Sequence, residues 1–79
     1  MLSNEIKLIR QKALMTQMEF SKHLKVSFST INRWETGKSI PNFSALKNLK
    51  QFCTENNLPF EGVESEWLTE SNSREEQSS

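Results

Sequence analysis

A short run in the middle of the chain, Phe28-Ser29-Thr30-Ile31-Asn32-Arg33-Trp34-Glu35, carries the side chains best suited to recognition chemistry. On a helix, Ile31 and Trp34 share one face at i, i+3 and tether the segment to a body, which leaves Phe28, Ser29, Asn32 and Arg33 on the far side. The Arg33 guanidinium suits a bidentate contact to the O6 and N7 acceptors of guanine, the Asn32 carboxamide suits adenine, and the Phe28 ring suits packing on a thymine methyl. Catalytic chemistry finds no comparable set. One histidine (His23) and one cysteine (Cys53) cannot supply the four ligands of an ordinary zinc site. No nucleophile–base pair, metal cluster or Gly-rich phosphate loop occurs, so neither an enzyme nor a cofactor is expected. His23 reads as a solvated helix residue and Cys53 as a core thiol.

The elements that must position this run are all helical. Proline and glycine are nearly absent before Gly37, β-branched runs are missing, and apolar residues recur at helical spacing. The spacing predicts a first helix over Asn4–Ala13 behind a Ser3 cap, with Ile6, Ile9 and Ala13 on one face. Thr16-Gln17-Met18-Glu19 reads as a capping box opening a second helix, with Met15 and Phe20 as its hydrophobic staple and Phe20 and Leu24 as its buried edge. After a turn through Lys25-Val26, Ser27 caps a third helix from Phe28 to Glu35 or Thr36, closed by Gly37. Pro41 and Asn42 open a fourth helix with Leu46, Leu49, Phe52 and Cys53 inward, and Asn57 and Pro59 stop it. Phe60, Val63, Trp67 and Leu68 form a weaker stripe interrupted by Gly62, which predicts a short fifth helix. The domain is expected to span residues 1–70, and residues 71–79, without an apolar side chain, to be a disordered polar tail.

Seventy-nine residues, 34% of them hydrophobic, make one small domain around a minimal core. The single cysteine excludes an internal disulfide and suits a reducing cytoplasm. No apolar run approaches the roughly 20 residues of a membrane span. Net charge is zero, but its distribution is uneven. Residues 1–60 carry nine bases against four acids, a net +5, whereas residues 61–79 carry one arginine against six glutamates, a net −5.

Two short helices joined by a tight turn, the second polar at its exposed N-terminal positions, form the helix-turn-helix pattern. Thr16 to Lys38, TQMEFSKHLKVSFSTINRWETGK, resembles the lambda-repressor-like, Cro/C1-type family (XRE family) of DNA-binding domains. The agreement takes in Thr16-Gln17, Phe20, the small Ser21, Leu24, Val26-Ser27, Ser29-Thr30-Ile31 and Arg33 to Gly37, with Pro41 and Leu46 fitting the entry to helix four. It covers about residues 3–56. The resemblance implies an all-α, compact four- to five-helix lambda-repressor-like domain. It also implies a sequence-specific transcriptional regulator, a repressor by expectation, that binds a palindromic double-stranded operator as a homodimer in the cytoplasm, with no metal and no membrane.

The resemblance carries roles over residue by residue. Phe28, Ser29, Asn32 and Arg33 fall at base-reading positions. Gln17, Thr36, Lys38 and Phe43 fall where family members touch phosphate, Phe43 at the start of helix four, where helix N-termini offer free N–H groups. Arg10 and Glu35 match a partly buried structural salt bridge of the family and are assigned no DNA contact. Lys25 stands where many relatives have glycine; if that turn needs φ > 0, lysine costs about 1 kcal/mol. The dimer contact of relatives lies near the end of helix four and beyond, which here places Leu58, Phe60, Val63 and Trp67 in the interface. The alternative reading is an antitoxin-like or adaptor module with DNA binding secondary, favoured by the acidic Glu61–Glu70 stretch beside Phe60, Val63 and Trp67.

Overall fold

In the computed structural model, residues 1–78 are described, with side chains as far as Ser73. They form five helices: α1 (Leu2–Lys12), α2 (Gln17–Leu24), α3 (Phe28–Glu35), α4 (Phe43–Glu55) and α5 (Glu61–Ser78). Three of them start on side-chain caps. Thr16 Oγ1 accepts from the Glu19 N–H at 3.1 Å and Glu19 Oε1 accepts from the Thr16 N–H at 2.9 Å, completing the capping box. Ser27 accepts from the Thr30 N–H at 3.1 Å, and Asn42 from the Ala45 N–H at 2.9 Å.

The ends of α1 to α4 share one device. In each, a residue one or two positions past the helix takes a left-handed conformation: Leu14 (φ 58°), Lys25 (59°), Gly37 (77°) and Asn57 (55°). In each, two reversed hydrogen bonds close the last turn, as in Met15 N–H to Arg10 C=O and Leu14 N–H to Gln11 C=O after α1. These are Schellman motifs, and three of the four are built without glycine. The residue that follows is apolar in three cases, and Met15, Val26 and Leu58 all pack against the core. Holding a side chain at positive φ costs about 1–2 kcal/mol at each such site, which the turn at Lys25 therefore incurs.

The core joins all five helices: Leu2, Ile6 and Ile9 of α1, Phe20 and Leu24 of α2, Ile31 and Trp34 of α3, Leu49, Phe52 and Cys53 of α4, and Val63 and Trp67 of α5. Phe20 and Phe52 meet edge to face with centroids 5.1 Å apart. Ser21 is buried with its hydroxyl donating to the Met18 carbonyl at 2.7 Å. Burial pushes the Cys53 thiol up to about 11, so at neutral pH it stays protonated and packs as an apolar group.

Two sequence expectations change. The first helix begins at Leu2, not Asn4, and Ser3 lies inside its first turn rather than capping it. The cause is tertiary: α5 packs along α1, and Leu2, only 1% exposed, is drawn into the core they share. The fifth helix is longer than the apolar stripe and runs through Gly62, which the end of the Glu5 side chain of α1 covers so closely that a Cβ there would lie 2.5 Å from Glu5 Oε2. Its backbone continues past Ser71 into the segment read as a polar tail; the side chains from Arg74 onward, and Ser79 altogether, lie outside the described residues. Among the described residues, no helix is long and apolar enough to cross a membrane, and no group of three or more His, Cys, Asp or Glu side chains could hold a metal ion.

The capping box makes part of the stability pH-dependent. The Glu19 carboxyl is held below its ordinary value by the Thr16 backbone N–H and then by the Thr16 hydroxyl. A depressed carboxyl stabilises the fold at pH above its unfolded value, and that contribution disappears as pH falls through the lowered one. The melting temperature is therefore expected to fall on acidification below about pH 4.5, the carboxyl's ordinary value, less steeply in Glu19→Gln. Parallel acid melts of the two chains that superimpose after a constant offset would remove Glu19 from the effect.

Candidate nucleic-acid interface

An isolated eight-residue helix is unstable in water, so α3 depends on its caps and its buried face. Ile31 (0% exposed) and Trp34 (4%) anchor it, and α1 and α2 both pack on it. At its start the Ser27 and Thr30 hydroxyls lie 2.9 Å apart and engage each other. At its end the Schellman motif through Gly37 fixes the exit of the chain. On the opposite face Phe28, Ser29, Asn32 and Arg33 are all exposed, Phe28 as an unusually open aromatic at 45%. A rigid helix thus presents a guanidinium, a carboxamide, a hydroxyl and a ring on one surface.

The side chains expected at phosphate are placed unequally. Lys38 is exposed just beyond α3. Phe43 is exposed at the first position of α4, its ring centroid 5.1 Å from that of Trp67. Thr36 donates its hydroxyl hydrogen to the Asn32 carbonyl at 2.8 Å, so a bond from it to phosphate requires giving that one up. Gln17 is half-buried and its Nε2 donates to Glu35 Oε1 at 3.1 Å.

That Glu35 carboxylate is the centre of a network. Arg10 Nε donates to Oε2 at 2.8 Å and Arg10 Nη2 to Oε1 at 2.9 Å, a fork-to-fork pair whose side chains are 14% and 3% exposed. Arg10 Nη1 donates to the Met15 carbonyl at 2.9 Å. The hydrogen bond to Glu35 raises the Arg10 pKa, and partial desolvation opposes it. Sequence reasoning paired Arg10 with Glu35 but missed Gln17 as a third member, because no local pattern marks a bond across 18 residues.

The residues expected between two copies are placed largely within one. Val63 and Trp67 are 1% and 6% exposed, and Trp67 Nε1 donates to the buried Pro41 carbonyl at 2.7 Å. Both side chains are committed to this chain's own core and leave little surface for a partner. Leu58 and Phe60 are half-buried against the same core. The open apolar side chain of α5 is Leu68, 50% exposed.

The family model of the helix-turn-helix proteins matches residues 6–53, from the first turns of α1 to the end of α4. Curated proteins and solved structures give no match. Five helices around one core, with α2 and α3 joined by a tight turn, make a lambda-repressor-like fold. The family match covers well over half the chain and contains the capping box, the turn at Lys25 and the whole exposed face of α3. The chain belongs to the Cro/C1-type helix-turn-helix (XRE) family of DNA-binding transcription regulators.

Proposed function

We propose that the chain is a sequence-specific transcriptional repressor that lays α3 in the major groove of double-stranded DNA and binds a palindromic operator as a pair of copies. The observation that carries this reading is the split of α3 into a buried face, Ile31 and Trp34, and an exposed face, Phe28, Ser29, Asn32 and Arg33. A major groove about 12 Å wide admits one helix and presents a distinct donor and acceptor pattern for each base pair. The net +5 of residues 1–60 meets the phosphates, through Lys38 and the exposed starts of α2 and α4. Repression follows from occupancy: a bound pair obstructs a promoter without any further contact.

One recognition helix reads too few base pairs for a genome. Two copies related by a two-fold axis set their helices about 34–36 Å apart, one turn of DNA. With Val63 and Trp67 inside the core, the contact is assigned to the uncovered parts of Leu58 and Phe60 and to Leu68.

Selection of bound sequences from a random duplex pool tests the reading. Arg33→Ala is expected to weaken the preferred site by about 1–3 kcal/mol and to relax selection at one base pair. On the preferred site, log K should fall with log salt at about −0.9 for each phosphate neutralised. Unchanged base preferences in Arg33→Ala would remove α3 from the groove, and a flat salt dependence would remove the phosphate contacts.

A further inference from the structure

We infer that Glu35 is a positioning residue for DNA binding: it holds the Gln17 carboxamide at the start of α2 ready for a phosphate, without itself touching DNA. The inference rests on the DNA-binding reading above and deepens it. The geometry is a three-residue chain. Arg10 clamps Glu35 with two donors and the Met15 carbonyl with a third, and Glu35 in turn accepts from Gln17 Nε2. The chain ties the end of α1, the start of α2 and the end of α3 to one another.

Three physical consequences point the same way. A glutamine side chain is rich in rotamers, and ordering it during binding weakens affinity; here it is ordered by the fold. Nε2 carries two hydrogens, so the bond to Glu35 leaves one for an incoming oxygen. Thr16 Oγ1 takes the Glu19 N–H, and a helix leaves its first N–H groups without partners inside the helix; Gln17, at the first position of α2, brings its own N–H beside its carboxamide. A bare carboxylate there would repel a phosphate. The fork from Arg10 neutralises Glu35, so it can hold Gln17 without driving the anion away.

The test uses the full chain and two readouts. The first is nitrogen relaxation of the Gln17 side-chain NH2 in the free protein. An order parameter near the rigid-backbone value of about 0.85, falling below about 0.6 in Glu35→Gln, is expected. The second is a double-mutant cycle of Gln17→Ala and Glu35→Gln on duplex affinity, at a temperature where all four chains are folded. Glu35→Gln is expected to weaken binding about 5–10-fold to every duplex sequence in the parent and hardly at all beside Gln17→Ala, an interaction of the size such cycles resolve. An equal loss in both backgrounds overturns the inference, because Glu35 would then act through the fold alone. Should Glu35→Gln not fold, relaxation in the parent decides, and a freely mobile Gln17 carboxamide overturns the inference. A parent chain that binds no duplex overturns the DNA-binding reading and this inference together, whereas intact binding without coupling overturns only the inference.

Discussion

Arg10→Ala is expected to lower the free energy of unfolding by about 3–5 kcal/mol, the cost of stranding one partner of a buried ion pair. A chain of this length is stable by about 4–12 kcal/mol at the usual 0.05–0.15 kcal/mol per residue, so the variant stands close to unfolding. The reason lies in the exposure of Glu35, whose side chain is only 3% open and keeps just the Gln17 amide once the guanidinium is gone. The Met15 carbonyl loses its Arg10 donor in the same step. Replacing both charges, as Arg10→Met with Glu35→Leu, should restore most of the stability, since an apolar pair of similar volume removes the uncompensated charge. Urea unfolding of the three chains measures this. A loss under about 1 kcal/mol in Arg10→Ala would place the pair with exposed ion pairs of little worth.

Trp67→Ala is expected to cost about 3–5 kcal/mol through the cavity it opens, and about 1–3 kcal/mol more through the Pro41 carbonyl left without its donor. The ring is 6% exposed, bonded to Pro41 at 2.7 Å and set against Phe43. In a domain this small each kcal/mol moves the melting temperature by about 4–8 °C, so the variant should be largely unfolded at room temperature. Trp67→Phe retains the ring burial and loses only the hydrogen bond, and should fall between. Leu68→Glu changes an exposed side chain one residue away; it should melt near the parent while shifting sedimentation toward single copies. Circular dichroism melts separate the roles. If Trp67→Ala melts within a few degrees of the parent, α5 does not seal the core.

What the amino-acid sequence determined by itself is local. The capping box at Thr16–Glu19, the Ser27 cap, the Gly37 stop and the buried Ile31 and Trp34 of α3 were legible because each depends on residues within four positions of one another. The pairing of Arg10 with Glu35 was legible only by resemblance to the family.

Tertiary structure decided the rest. Apolar residues such as Val63 and Trp67 suit a core or a partner equally, and both are buried in the core because α5 packs along α1 and brings Trp67 within hydrogen-bonding distance of Pro41. The same packing moved the start of α1 to Leu2 against the local preference for a cap at Ser3. Leu14 took a left-handed conformation with no sequence signal for it, because closing the end of α1 in that way sets Met15 against the core. The bond from Gln17 to Glu35 exists only once α2 and α3 are docked. Hydrogen bonds within a turn are written in neighbouring residues, whereas which face of a helix is covered, and by what, depends on segments the chain brings together only on folding.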